Sequence, residues 1–144
     1  NSIYAKGRDN ARTPMQWDDS ENAGFTDGTP WIKVNDNYKE INAKSQVDDE
    51  KSIFNCYRQL IKFRKEYPVF VDGDFTLLLA DDENIFAYKR EYAGKSMVVV
   101  CNFYGQTIDM PLTEECKDME LLISNYAKGD ETVLRPYEAR IYMK

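Results

Sequence analysis

Residues 7–19, Gly-Arg-Asp-Asn-Ala-Arg-Thr-Pro-Met-Gln-Trp-Asp-Asp, hold the groups of this chain best suited to chemistry. Arg8 and Arg12 supply forked, permanently charged donors, Asn10 and Gln16 supply amide donors and acceptors, and Asp9 supplies an acceptor. Trp17 adds a flat ring that fits the apolar face of a pyranose. No amphipathic period or turn rule demands this order of residues. The combination reads as a sugar-contacting loop. Taken without its neighbours, Arg8 would read as a surface ion pair, because exposed arginines are common.

Other reactive patterns are absent or bland. The sequence has no histidine, which removes Ser-His, Cys-His and His-metal schemes together. The clusters Asp18-Asp19, Asp48-Asp49-Glu50, Asp81-Asp82-Glu83 and Glu114-Glu115 suggest catalytic carboxylates at first sight. Adjacent residues point apart, whereas a catalytic carboxylate pair must face across its substrate, so helix caps and solvated turns explain them better. Asp72-Gly73-Asp74 lacks the remaining ligands of a calcium loop. No metal site or cofactor is expected within this chain. Cys56, Cys101 and Cys116 are odd in number and widely spaced, and read as buried free thiols of a reducing, cytoplasmic compartment. A single disulfide with one thiol left over is the alternative.

The bulk numbers narrow the partners. A length of 144 residues suits one domain, or one small domain with part of another. With 42% hydrophobic and 31% charged residues the composition is globular. The net charge of −6 argues against a nucleic-acid partner, since phosphate binding needs clustered Lys and Arg. No window approaches ~18 uninterrupted apolar residues, so no transmembrane helix is expected. The start at Asn1-Ser2-Ile3, without Met or signal peptide, looks like that of an excised piece.

Three kinds of segment must position the loop. Residues 1–47 lack periodicity and are punctuated by Pro14, Gly24, Gly28 and Pro30, so they read as long irregular loop. Trp17, Phe25, Trp31, Ile32, Val34, Tyr38 and Ile41 stud that stretch and need a surface to pack on. Trp17 and Trp31 read as core or interdomain packing before a sugar platform. Residues 49–67 repeat apolar side chains at helical spacing through Ile53, Phe54, Tyr57, Leu60 and Ile61. Asp48, Asp49 and Glu50 stand at the front of this expected helix and Pro68 ends it. From residue 69 the pattern turns to strands: 69–71, 75–79, 85–90, 97–103, 108–112, 120–123 and 140–143. Turn residues separate them at about 8–12-residue intervals, as in an antiparallel sandwich. Met97–Cys101 is apolar throughout and reads as a central strand covered on both faces.

In this order the blocks GRDNARTPMQWDD (7–19), NAGFTDGTPWIKVNDNYKEIN (22–42), CYRQLIKFRKEYPV (56–69) and LRPYEARIYMK (134–144) resemble the C-terminal part of α-amylase-superfamily α-glucosidases. The likeness is to the oligo-1,6-glucosidase, dextran glucosidase and trehalose-6-phosphate hydrolase type. It implies a mainly β chain: a C-terminal antiparallel β-sandwich at 69–144, preceded at 1–68 by the end of a (β/α)8 barrel. That barrel end comprises the irregular pocket loop and the last, long amphipathic barrel helix. The family's nucleophile, acid/base and third carboxylate lie in segments before the part matched here. The resemblance therefore implies an enzymatic parent and an inactive piece, whose oligosaccharide substrate is bound through the missing barrel. It also implies that Arg8 pairs with an Asp of an early barrel loop to close the pocket around the non-reducing glucose, which makes Arg8 and Arg12 the candidate substrate-binding residues, Arg12 reaching either the sugar or, as a brace, the loop carbonyls. Asp9, Asn10, Gln16 and Trp17 are weaker candidates.

Two further expectations follow. The helix face of Ile53, Phe54, Tyr57, Leu60 and Ile61 should bury against barrel elements in the parent; alone it needs cover from residues 1–47, from the β domain or by self-association. The alternative to an enzyme part is a stand-alone β-sandwich that binds carbohydrate or protein, which would need aligned exposed aromatics. The strand pattern gives no such line, although loops could supply one.

Overall fold

The computed structural model describes residues 7–144, so the abrupt Asn1-Ser2-Ile3 start lies outside the described residues. The chain divides into two compact units, 1–59 and 60–144.

The first unit is built around polar side chains tying loop to loop. Short 3₁₀ turns occupy Asp9–Ala11, Glu21–Gly24 and Asp36–Lys39. Helix α1, Ala43–Val47, was not legible in the sequence. Its five residues carry no apolar stripe, and it forms because Asn42 caps it. The buried Asn42 Oδ1 accepts from Ser45 N at 2.9 Å, and Asn42 Nδ2 donates to Tyr38 O at 2.8 Å. Helix α2, Ile53–Glu66, starts four residues later than expected. Ser52 is its cap, accepting from Asn55 N at 3.1 Å, while Asp49 Oδ1 accepts from Lys51 N in the turn before the helix. A hydroxyl at the boundary outcompetes the upstream carboxylates as the helix start. The apolar face read from the sequence is largely exposed, with Ile53 at 71%, Tyr57 at 65% and Ile61 at 52%, while Leu60 is half-buried. Phe63 alone of this helix is fully buried.

In the second unit the chain leaves α2 through Pro68 into helix α3, Val69–Asp72, where the sequence pattern suggested a strand. The correction has a clear cause. Three apolar residues after a proline carry no period, and packing decides between helix and strand. Pro68 O accepts from Val71 N and Asp72 N at 2.8 Å each. Val69 thereby drops against Met97 and Val99. The rings of Phe63, Tyr67 and Phe70 stack beside it at 5.8–6.3 Å. The Arg90 guanidinium caps the end of α3, donating to Phe70 O at 3.1 Å, Val71 O at 3.1 Å and Gly73 O at 2.7 Å.

Gly73 closes this junction because no larger residue fits: a Cβ there would stand 2.6 Å from Val69 O. Gly73→Ala is expected to destabilise the chain by about 2 kcal/mol, read as a lower urea midpoint with an unchanged slope. An unchanged midpoint would mean that the junction yields freely.

Seven strands follow among the described residues: β1 Asp74–Leu78, β2 Ile85–Tyr92, β3 Lys95–Asn102, β4 Ile108–Asp109, β5 Glu120–Ser124, β6 Val133–Leu134 and β7 Ala139–Met143, of which β1, β2, β3, β5 and β7 lie close to the expected ones. They form a five-stranded antiparallel sheet in the order β1-β2-β3-β7-β5, beside a two-stranded pair, β4-β6. The β2–β3 hairpin turns on Ala93 and Gly94, both left-handed at φ 49° and 77°, as a two-residue hairpin requires. β3 is central and buried on both faces, as its apolar run predicts. One face packs Ile85, Ala87, Val98, Val100 and Tyr142 against Met110, Leu112 and Leu134. The other packs Met97 and Val99 under α3.

The expected strand over 108–112 shortens to two residues, because Met110 and Leu112 turn into the core ahead of a further short helix, α4, Thr113–Cys116. β6 is too short for any period to announce it. All three cysteines are free, although only Cys116 is fully buried. Burial, helped by the Glu115 charge, pushes its thiol up to about 11. Among the described residues no helix is long and apolar enough to cross a membrane.

Candidate functional site

Arg8 and Arg12 sit at the two ends of one 3₁₀ turn. Arg8 O accepts from Ala11 N at 3.2 Å, and Arg12 N donates to Asp9 O at 3.0 Å. A single tight turn therefore spaces the two guanidinium groups. Both side chains are exposed. Arg12 Nη1 lies 3.9 Å from Asp9 Oδ1, with the two side chains 49% and 71% exposed, so this pair is weak. Among the described residues Arg8 meets no carboxylate within salt-bridge distance. Of the side chain of Asn10 nothing is described.

The weaker candidates separate. Gln16 is half-buried and braces the loop, donating to Asn37 Oδ1 at 3.3 Å and to Ile41 O. Its own carbonyl accepts from Ala43 N at 2.8 Å. Its amide is thus already spent on structure. Trp17 is fixed through its backbone, with N donating to Ala23 O and O accepting from Lys44 N, both at 2.9 Å, while its ring stays exposed. Trp31 is 87% exposed. Among the described residues neither indole is buried, so neither belongs to a core of this chain. A shallow depression of about 320 Å³ lies between Pro14, Met15, Gln16, Ile41, Gln46 and Phe54. Neither Arg8 nor Arg12 lines it.

The loop beyond Trp17 is held in an uncommon backbone state. Asn22, Ala23 and Gly24 all take left-handed φ, at 53°, 57° and 65°. Three anchors hold the run. Ala23 O takes both Trp17 N and Asp18 N, Asn22 Nδ2 donates to Thr26 O and Gly28 O, and Ala23 is fully buried. Asp18 accepts from the Ser20 hydroxyl and amide, and these bonds hold its carboxyl below the usual range. Asp18 is a turn acceptor, and a Cβ at Gly24 would lie 2.8 Å from its Oδ1. Asp82 plays the same part for Asn84 N and Ile85 N, at 2.8 and 3.0 Å. Among the described residues no three carboxylates or thiols gather as a metal ion would require.

The sequence reading missed one charged centre altogether. Glu138, Arg140 and Arg135 form a cluster in which Glu138 is 0% and Arg140 2% exposed. Glu138 Oε1 accepts from Arg140 Nε at 2.8 Å and Arg135 Nη2 at 2.9 Å, and Oε2 accepts from Arg135 N at 2.8 Å. Arg140 Nη2 donates to Val133 O at 2.6 Å and Asp130 O at 3.1 Å. The signal was partial: opposite charges two apart entering an otherwise apolar strand share one face, with nothing to mark that face as buried.

Residues 1–73 match the family model of the alpha amylase catalytic domain, and residues 75–141 match that of the maltogenic amylase C-terminal domain. The chain belongs to the α-amylase family. It is 54% identical to an oligo-1,6-glucosidase of Halalkalibacterium halodurans, with 99% of the chain and 27% of that protein covered. It is 51% identical to an oligo-1,6-glucosidase of Parageobacillus thermoglucosidasius, covering 97% of the chain and 26% of the relative. Among solved structures it matches trehalose-6-phosphate hydrolase of Bacillus licheniformis at a TM-score of 0.89 and 43% identity, over 98% of this chain and 27% of that one. Trehalulose synthase MutB of Pseudomonas mesoacidophila matches at 0.82 and 39% identity, over 95% of this chain and 26% of that one. This α-amylase-family chain thus spans about a quarter of the length of the relatives it matches.

Proposed function

We propose that this chain is the closing part of a retaining α-glucosidase of the oligo-1,6-glucosidase type, which releases glucose from short α-glucosides, α-1,6-linked ones foremost. Residues 1–68 end the catalytic barrel and residues 69–144 form the β domain that supports it. The two adjoining family matches, with 54% identity to an oligo-1,6-glucosidase along the chain, carry the reading. The chemistry is supplied upstream by two carboxylates about 5–5.5 Å apart, one forming the glycosyl-enzyme bond and the other protonating the leaving oxygen and then activating water. This chain's part is to bind and enclose. Arg8, exposed and without a carboxylate partner among the described residues, meets an upstream Asp and the non-reducing glucose. A guanidinium suits that place because it keeps its charge when dehydrated and makes two parallel hydrogen bonds. Arg12 is the second contact. The free thiols suit a cytoplasmic enzyme.

The direct test is glucose release by the intact parent from isomaltose beside trehalose 6-phosphate. Faster hydrolysis of isomaltose, with α-glucose as first product, fits; inertness toward both would overturn the assignment.

The same reading gives the bare face of α2 its cover. Ile61 is 52% exposed here, so Ile61→Asp is expected to leave this chain's melting point nearly unchanged. In the parent, where that face meets the barrel, the same change should cost about 3 kcal/mol. Equal melting points in the parent with and without the substitution would place the face in solvent.

A further inference from the structure

Three exposed tyrosines stand together at one end of the five-stranded sheet. Tyr104 follows β3, Tyr126 follows β5 and Tyr137 precedes β7. β7 lies between β3 and β5 and runs antiparallel to both, which brings these three loops to the same end.

Tyr137 is the informative one. Its φ is 56°, in the left-handed region that bulky residues avoid, and yet its side chain is 65% exposed. No burial of the ring compensates the strain. The backbone is held in place from two sides: Tyr137 N donates to Tyr104 O at 3.0 Å, and Asn125 Nδ2 donates to Tyr137 O at 2.9 Å. Asn125 is itself anchored, its Oδ1 accepting from Ala139 N at 2.9 Å. The ring rests on bare main chain at Gly105, where a Cβ would come 3.2 Å from the Tyr137 hydroxyl and 3.6 Å from two ring carbons. Tyr104 is fixed through its N–H, which donates to Oδ1 of the buried Asn102 at 2.9 Å. Tyr126 leans on the frame, its hydroxyl donating to Pro136 O at 2.8 Å and its ring lying 4.3 Å from the Arg135 guanidinium.

Strain that the surroundings hold in place, and that presents a ring to solvent, is a mark of a binding surface. We propose that Tyr104 and Tyr137 form a platform on the β domain that binds a gluco-oligosaccharide, the rings stacking on pyranose C–H faces and their hydroxyls meeting sugar hydroxyls. The ligand class fits the surface: each ring carries a polar tip, and the amide of Gln106 belongs to the same loop as Tyr104. A polyanion is disfavoured, because the loops at this end set two cations, Lys128 and Arg135, against three carboxylates, Asp130, Glu131 and Glu138, and Arg135 is already paired with Glu138. The choice of a glucosyl ligand rests on the proposed function, whereas the platform itself rests on this geometry.

The test is titration of isomaltotriose into the 144-residue chain, followed by backbone amide shifts, with Tyr137→Gly and Tyr137→Phe beside it. Saturable shifts are expected at residues 104–106, 125 and 137. Tyr137→Gly removes the ring but relieves the left-handed strain, so binding should weaken about tenfold while the melting point does not fall. Tyr137→Phe should stay within about twofold, since the stacking surface remains. Absence of saturable shifts at these loops, or unchanged affinity in Tyr137→Gly, would overturn the platform. So would a lower melting point in Tyr137→Gly, which would make the ring a packing element. Shifts confined to residues 8–17 would also overturn it, while supporting the sugar-contacting loop.

Discussion

Replacing Glu138 by alanine is expected to remove about 3–5 kcal/mol from the stability of this chain. That is the cost of leaving a buried cation without its partner, and it is a large share of the ~5–15 kcal/mol available to a domain. Glu138 is wholly buried and takes hydrogen bonds from Arg135, Arg140 and Ser124. Arg140, 2% exposed, would keep its bonds to the carbonyls of Asp130, Glu131 and Val133 but lose the only carboxylate it meets among the described residues. Those carbonyls belong to the turn leading into β6, so the β4–β6 pair should loosen with it. Urea unfolding at pH 7 reads the loss as a lower midpoint.

The same centre predicts a pH signature. Burial alone pushes the Glu138 carboxyl up, and the hydrogen bonds from Arg135 and Arg140 more than reverse this, holding it well below the usual carboxylate range. A depressed folded-state value contributes stability in full above the unfolded value of 4.5 and loses it as the pH falls below that point. Wild type and Glu138→Gln should therefore differ most at pH 7 and converge toward pH 3. A gap that stays constant from pH 7 to pH 3 would mean that the carboxylate charge contributes nothing.

The second large effect belongs to Arg8. In the intact parent, Arg8→Ala is expected to lower kcat/KM for isomaltose about 100-fold. The guanidinium's interaction is lost, and the upstream carboxylate proposed as its partner is left unpaired in a dehydrated pocket. Arg8→Lys should recover little, because an ammonium cannot make two parallel bonds. Arg12→Ala should cost about tenfold, since its exposed contact with Asp9 at 3.9 Å is weak and its own role is secondary. Unchanged kcat/KM in Arg8→Ala would remove it from the pocket.

How much of this was legible depends on the length over which each element repeats its signal. The helix of residues 53–66 and strands β2 and β3 repeat theirs over many residues, and their identity is plain in the sequence. Ser52 shifted the helix start because a single cap hydrogen bond sets a boundary, which no period can place. Val69–Asp72 became a helix because the pocket beside Met97 and Val99 selects the conformation, and that pocket is assembled from distant residues. The α1 helix and β4 and β6 are too short to carry a pattern. For the candidate site, the Arg8–Trp17 motif was readable as chemistry, but the division between contact and brace was not. Gln16 turned out to be a brace only once Asn37 and Ile41 folded back onto it. The Glu138–Arg140 centre rests on charges two apart at the start of β7, which no period or motif marks as buried. The left-handed φ of Tyr137 is a feature that no residue type announces.

This chain is proposed to complete a glucosidase whose catalytic carboxylates lie upstream. Hydrolysis of p-nitrophenyl α-glucoside tests it most directly, measured on the chain by itself and on a chimera. The chimera is the Halalkalibacterium halodurans oligo-1,6-glucosidase with its matching quarter replaced by this chain. The account predicts an inert chain and an active chimera. Turnover by the chain alone that disappears in Arg8→Ala, or a folded chimera without activity, would contradict it.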